Sequence, residues 1–130
     1  MQGLHLTADL HDCRCNSIWL LDASQLGAAC RNAVKAAGLQ VVNEIFHTFP
    51  SSTYGPGGVT ATLLLAESHL CVHTWPEQRA VTLDVYVCNF GGDHSAKAQA
   101  LMDALLALFM PQRSERHALQ RGSVASVTSF

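Results

Sequence analysis

The sequence is poor in charged residues and has no surplus of positive charge. Only 14% of its 130 residues are Asp, Glu, Lys or Arg, against about 25% in an average soluble domain. Eight basic residues against ten acidic ones leave a net charge of −2, which argues against general electrostatic binding to nucleic acid or to an anionic membrane. Because 48% of the residues are hydrophobic, more surface than usual should be buried, and we expect an oligomer.

Long apolar segments are also absent. The most apolar stretch, residues 98–110, contains Asp103 and is too short and too polar to span a bilayer. Residues 1–12 carry two aspartates and two histidines, with no apolar run like that of a signal peptide. The five cysteines are an odd number, which does not suit a framework of paired disulfides. We therefore expect a cytoplasmic protein with reduced thiols and no membrane contact.

The length suits one domain with a single core. Alternating apolar and polar residues predict a strand over residues 4–10, and four further strands are predicted over residues 39–49, 59–66, 70–75 and 80–88. Only short breaks over residues 67–69 and 76–78 separate the last three strands, so a meander is the simplest topology. Apolar spacings of three and four predict a helix over residues 22–37 and another that begins with Ser95 as its cap and ends before Pro111. A short last strand is expected near residues 117–120. We expect the domain to span residues 1–122, with residues 123–130 as a flexible tail.

Strands in sequence with two helices predict an α+β fold, a two-layer sandwich whose mostly antiparallel sheet carries both helices on one face. Residues two apart in a strand share a side. If the apolar rows of the three central strands all face the helices, Thr60, His73 and Cys88 lie together on the opposite surface.

Residues 66–77 read Ala-Glu-Ser-His-Leu-Cys-Val-His-Thr-Trp-Pro-Glu. This stretch closely resembles the prokaryotic S-adenosylmethionine decarboxylases, a pyruvoyl-dependent family whose signature is Glu-Ser-His followed shortly by His-Thr-Trp-Pro-Glu. Further matches are His5-Leu6 with Asp9, Phe46-His47-x-Phe49, Gly58-Val59-Thr60 and Leu83-Asp84-Val85-Tyr86-x-Cys88. The resemblance covers residues 3–122.

The resemblance implies a zymogen that cuts its own backbone between Glu67 and Ser68. The Ser68 hydroxyl would attack the Glu67 carbonyl to form an ester, and β-elimination followed by hydrolysis would leave a pyruvoyl group in place of Ser68. By the same resemblance His73 is the base that accepts a proton during processing. Thr60 stands where the family carries a hydroxyl that assists the ester step.

For the mature enzyme the resemblance implies a lyase. The pyruvoyl carbonyl would form a Schiff base with S-adenosylmethionine, and decarboxylation would yield the aminopropyl donor of polyamine (spermidine) biosynthesis. Cys88 matches the residue that returns a proton to Cα, and Glu77 matches a carboxylate that holds the ribose. Phe49 is a candidate platform for the adenine and Asp9 a candidate partner of the sulfonium. We expect a homodimer of cleaved protomers.

Three departures leave other functions open. Ala61 and Asn89 replace glycines that are common in the family, and the loop at residues 50–57 is longer than in short members. Relatives of this family have been recruited to decarboxylate arginine or ornithine, so either substrate is an alternative. An unprocessed paralogue that only binds a partner is a third reading.

A zinc site is also conceivable, because His69, Cys71 and His73 share one side of a predicted strand. Such a site needs a fourth ligand, and the one-residue spacing between Cys13 and Cys15 is not the usual one. We therefore expect no metal.

Overall fold

In the computed structural model, which describes residues 2–122, six strands form one antiparallel sheet. The strands are β1 (Gly3–Cys13), β2 (Val41–Thr48), β3 (Val59–Leu65), β4 (Ser68–Trp75), β5 (Ala80–Cys88) and β6 (Pro111–Arg121). Their order across the sheet is β2-β3-β4-β5-β1-β6. The meander predicted for the central strands is confirmed, and the predicted tail at residues 123–130 lies outside the described residues.

Helices cover one face of this sheet. They are α1 (Ile18–Leu21), α2 (Ala23–Ala36) and α3 (Ser95–Phe109), with a 3-10 turn at Pro76–Gln78. Helix α2 packs near β2, and α3 packs on β1 and β5. The Asp22 carboxylate accepts hydrogen bonds from the backbone N–H groups of Ser24 and Gln25 and so caps α2. The α+β two-layer fold is confirmed, and none of the described helices is long and apolar enough to cross a membrane.

Burial alternates along the central strands as the sequence predicts. In β5, Val81, Leu83, Val85 and Val87 are fully buried against the helices, whereas the intervening residues are half-buried. The same alternation runs through β3 and β4. We call the side of the sheet away from the helices the open face. Thr60, His73 and Cys88 all belong to it.

Two features of the sheet go beyond the sequence prediction. Strand β1 lies between β5 and β6, because the chain returns through β5 to pair with its own beginning from Gly3 opposite Cys88 to Leu10 opposite Val81. Strand β6 is also longer than predicted. Nearly all its residues are exposed, so it shows no apolar alternation, and backbone pairing with β1 holds it in place.

Three local features also differ. The short helix α1 was not predicted. The predicted break over residues 67–69 is shorter, since Ser68 and His69 already belong to β4. Ser95 is the first residue of α3 rather than its cap: the cap is His94, which makes no side-chain hydrogen bond to the helix. The Asp93 carboxylate instead accepts from the Ser95 N–H at 2.9 Å.

Candidate active site

One group of predicted site residues lies where the hairpin between β3 and β4 turns. Leu65 pairs with Ser68, so only two residues form the turn, and Glu67 has a left-handed backbone with φ of 54°. That conformation costs a residue with a side chain about 1–2 kcal/mol. Such strain persists where the surrounding structure holds it, often at functional sites. The peptide bond between Glu67 and Ser68 thus lies in a constrained turn.

The neighbouring strand β5 holds the Ser68 hydroxyl. The backbone N–H of Cys88 donates to Ser68 Oγ at 3.2 Å, and a cavity of about 330 Å³ beside them is lined by Glu67, Tyr86, Cys88 and Phe90. A serine oxygen that accepts a hydrogen bond has its position fixed while its own proton stays free to leave. We call Glu67, Ser68 and Cys88 the cleavage end of the sheet.

A network of imidazole, carboxylate and guanidinium groups crosses the open face beside the cleavage end. His5 Nε2 lies 2.8 Å from Asp84 Oδ1, and the His69 ring stacks on Tyr86 with centroids 5.7 Å apart. Arg121 Nη1 lies 3.3 Å from His5 Nδ1. Burial, followed by the nearby charges of His5 and Arg121, lowers the pKa of His69, although Asp84 opposes this shift. The His69 ring is therefore held toward its neutral form.

A second group of predicted residues lines a cavity of about 360 Å³ at the opposite end of the central strands. Thr60 Oγ1 lies 3.0 Å from His73 Nδ1, Phe49 lies at the end of β2, and Glu77 lies in the 3-10 turn after β4. We call Phe49, Thr60, His73 and Glu77 the cavity end. The Phe49 ring is oriented by an edge contact with His47, with centroids 4.7 Å apart.

Close backbone approaches fix the entry to this cavity. A Cβ on Gly57 would lie 2.0 Å from the Phe49 carbonyl oxygen, and one on Gly58 would lie 2.0 Å from that of Thr74. Only glycine fits at such contacts. The Thr74 hydroxyl, itself buried, accepts from the Val59 N–H and donates to the Leu20 carbonyl, both at 2.8 Å. These contacts set the position of Thr60 relative to His73.

The cleavage end and the cavity end are far apart in one chain. Ser68 and His73 are five residues apart on β4, and at 3.3 Å per residue this places their Cα atoms about 17 Å apart. Asp9 falls outside both groups: it is exposed on β1 and lines a separate cavity of about 270 Å³ that also borders Trp75. The structure therefore divides the predicted site residues into two sets that do not touch.

Three of the five cysteines are packing residues. Cys13, Cys15 and Cys30 are buried in the core, and all five cysteines are free. Burial raises the pKa of Cys13 to about 11 and that of Cys30 to about 12, which disfavours the reactive thiolate. Among residues 2–122 no group of three or more His, Cys, Asp and Glu side chains is arranged to hold a metal ion.

Comparison with known proteins identifies the family of this chain. Residues 4–122 match the family model described as S-adenosylmethionine decarboxylase. The chain belongs to this family. The match spans both the cleavage end and the cavity end, so all the candidate site residues lie inside it.

Individual relatives support the family assignment. The chain is 39% identical to an S-adenosylmethionine decarboxylase proenzyme of Parasynechococcus marenigrum, over 92% of this chain and 83% of the relative. It is 36% identical to the proenzyme of that name from Aquifex aeolicus, over 94% and 82%. The crystal structure of the adenosylmethionine decarboxylase from Aquifex aeolicus superposes with a TM-score of 0.80 at 33% identity, covering 94% of this chain and 92% of that one.

From the sequence we did not predict that two further aromatic residues line the cavity at the cavity end. Trp75 lines the cavity, with its ring centroid 6.0 Å from that of His73. Its place two residues after His73, on the same side of β4, was a signal for this position. Tyr54 also lines the cavity. It comes from an aperiodic loop, and no sequence pattern predicts where it points.

Proposed function

We propose that this chain is a proenzyme that cleaves itself between Glu67 and Ser68 and then decarboxylates S-adenosylmethionine. The product of that reaction is the aminopropyl donor for polyamine synthesis. The observation that carries the proposal is the strained turn at Glu67 whose next residue, Ser68, has its hydroxyl oxygen held by the Cys88 N–H. Relatives of this chain are named proenzymes, and the peptide bond between Glu67 and Ser68 in this turn is the candidate scissile bond.

Processing needs a constrained turn, an oxyanion donor and a base from the chain's own residues. The Ser68 oxygen attacks the Glu67 carbonyl carbon, the C–N bond breaks, and an ester joins the two residues. A base then removes the Ser68 Cα proton, so that the Glu67 carboxylate leaves and a dehydroalanine remains. Water replaces the nitrogen of that residue, ammonia departs, and a pyruvoyl group heads the second fragment. The turn brings the hydroxyl to the carbonyl, while an oxyanion donor and a base remain to be supplied.

We assign the base and the assisting hydroxyl to a second copy of the chain. His73 and Thr60 are hydrogen-bonded to each other, but they lie about 17 Å from Ser68 of their own chain. A two-fold axis between two sheets, running across their strands, places the cleavage end of one copy over the cavity end of the other. Each dimer then has two complete sites, and each site takes residues from both copies.

The open face has the surface for such a dimer. Ile45 is 72% exposed, Leu64 49% and Leu119 53%, and each pairs in register with a residue of the open face. Apolar side chains on a face that also carries half-buried polar groups are typical of a subunit interface. A homodimer buries these side chains and joins the two ends of the site.

In the complete site, residues of both ends have separate tasks. The pyruvoyl group, once formed, supplies a carbonyl that accepts the substrate amine and withdraws electrons from the bond to the departing carboxylate. The Cys88 thiol, next to Ser68, is the proton donor to the product carbon. At the cavity end the Glu77 carboxylate accepts hydrogen bonds from ribose hydroxyls and Phe49 stacks on the adenine. Asp9, on the neighbouring cavity, is a candidate partner of the positive sulfonium.

The domain of the proposed enzyme spans residues 1–122. The free cysteines fit a reducing compartment, and we propose the cytoplasm.

Two measurements on freshly purified protein test the proposal. Intact-mass spectrometry should find two fragments, residues 1–67 and residues 68–130 with a pyruvoyl group in place of Ser68. Release of carbon dioxide should be highest with carboxyl-labelled S-adenosylmethionine and at background with arginine and ornithine. An uncut, inactive chain favours the non-catalytic paralogue, and cleaved protein that prefers arginine or ornithine identifies the other substrate class.

A further inference from the structure

The loop at residues 50–57 forms much of the wall of the larger cavity. Five of its residues line the cavity together with Phe49, namely Pro50, Ser52, Tyr54, Pro56 and Gly57. The wall opposite them comes from strands β3 and β4 and the turn after β4. The loop therefore forms one wall of the space beside Phe49 and Glu77.

The loop is held by its own backbone. At its base the Phe49 N–H donates to the Gly58 carbonyl at 2.9 Å. At its tip Ser52 and Gly55 exchange backbone hydrogen bonds of 2.8 and 3.1 Å, and the Ser52 hydroxyl accepts from the Tyr54 N–H at 3.1 Å. A tip closed in this way presents the Tyr54 side chain at low conformational cost, since its backbone is already ordered.

Tyr54 is the most exposed of the large side chains that line this cavity. It is 84% exposed, against 49% for Phe49 and 38% for Trp75. A tyrosine has only two side-chain torsions and a large flat face, so it covers a planar ligand at small entropic cost. Phe49 and Trp75 border the same cavity. The cavity thus offers aromatic faces from the sheet side and from the loop side.

We propose that Tyr54 is a specificity-determining residue that covers the planar base of the substrate from the loop side. The inference rests on the proposed function, because it takes a nucleoside as the ligand of this cavity. A purine base presents a π-face to a tyrosine ring, whereas the aliphatic chain of ornithine presents none. The loop would therefore favour a nucleoside-linked amino acid over a simple one.

Binding of 5′-methylthioadenosine tests this proposal without any chemistry. This nucleoside lacks the aliphatic α-amine and the carboxylate of S-adenosylmethionine, so it cannot form the Schiff base with the processed residue. We expect Tyr54→Ala to weaken its binding about tenfold, the effect of losing one stacked aromatic, and Tyr54→Phe to retain the affinity. The matched control is Thr53→Ala, an exposed neighbour on the same loop that does not line the cavity. Titration calorimetry on the processed protein measures all four chains.

Steady-state kinetics give a second readout. Because Tyr54 would touch a part of the substrate that does not react, its loss should raise KM for S-adenosylmethionine about tenfold and leave kcat within about twofold. Unchanged nucleoside affinity and unchanged KM in Tyr54→Ala would overturn the role of Tyr54 while the proposed function stands. If the unmutated protein binds no methylthioadenosine, the nucleoside site itself is wrong, and both proposals fall.

Discussion

The two faces of the same sheet differ in composition although they are built from the same strands. On the helix side of β5, Leu83 and Val85 are at most 1% exposed and belong to the hydrophobic core. On the open face Thr82, Asp84 and Cys88 alternate with them and are half-buried. One face stabilises the fold and the other carries hydroxyl, thiol, imidazole and carboxylate groups. Neighbouring residues of one strand have different roles, so single substitutions can separate the stability of the fold from the function of the site.

The sheet is also divided along its strands. Its cleavage end holds a strained turn and a positioned hydroxyl, whereas its cavity end holds a Thr60 and His73 pair beside a space for a ligand. Neither end has a full set of groups for either reaction. The proposed mechanism therefore requires a pair of chains.

Replacing the Ser68 hydroxyl should have the largest effect. Ser68→Ala removes the nucleophile of cleavage, so we expect a single uncut chain and a loss of decarboxylase activity of more than about a thousandfold. Denaturing gels and carbon dioxide release measure the two effects. Ser114→Ala on the exposed strand β6 is the control and should be cleaved and active as usual. A cleaved or active Ser68→Ala chain contradicts the mechanism.

Complementation between two inactive variants tests whether the cavity end of one chain acts on the cleavage end of another. We expect His73→Ala alone to remain uncut, because the base is missing from both sites of its dimer. Co-expressed with Ser68→Ala, it should be cleaved in the mixed dimers, each of which has one intact site. Random pairing then restores about one quarter of the activity of the unmutated protein.

The matched control for complementation is His73→Ala co-expressed with a chain carrying both Ser68→Ala and His73→Ala. That partner has no working cavity end, so no cleavage should occur. If Ser68→Ala fails to rescue cleavage of His73→Ala although mixed dimers form, His73 does not act across an interface.

Adjacent residues of β5 test the difference between the faces. Leu83→Ala leaves a cavity in the core and should lower the free energy of unfolding by about 2–5 kcal/mol. Thr82→Ala, one residue earlier but on the open face, should lower it by less than about 1 kcal/mol. Urea unfolding at fixed protein concentration, in the uncut Ser68→Ala background, measures both. Equal losses at the two positions contradict the assignment of stability to the helix side.

Alternation in the sequence predicted the faces well because it is a local property. The apolar row of residues 81–87 was enough to place Cys88 on the open face, and the short spacing between strands predicted the meander. The position of β1 beside β5 could not be predicted in this way. It depends on pairing between residues 3–10 and 81–88, which are far apart along the chain.

The candidate site was predicted in its residues but not in its arrangement. The family resemblance identified Ser68, Thr60 and His73, and the strand spacing already implies that Ser68 and His73 are distant. That His73 bonds to Thr60, and that both border a cavity with Glu77, needs the register of β3 against β4. The position of Tyr54 in the cavity wall could not be predicted, because the fold of its loop depends on backbone contacts that leave no periodic pattern in the sequence.

The smallest effect concerns the pH dependence contributed by the open face. His69 is faced by His5 from β1, Asp84 and Tyr86 from β5, and Arg121 from β6. Because burial and the two positive neighbours lower its pKa below the ordinary value of 6.5, the unfolded chain takes up this proton before the folded chain does. The stability of the folded chain should therefore fall as the pH drops below about 6.5, and His69→Gln should reduce that fall.

Urea midpoints at pH 7.5 and pH 5, in the uncut Ser68→Ala background, measure the difference. His117→Gln on the exposed strand β6 is the control, and a His69→Gln chain with the same pH dependence as its parent would show that the network on the open face does not act on this ring.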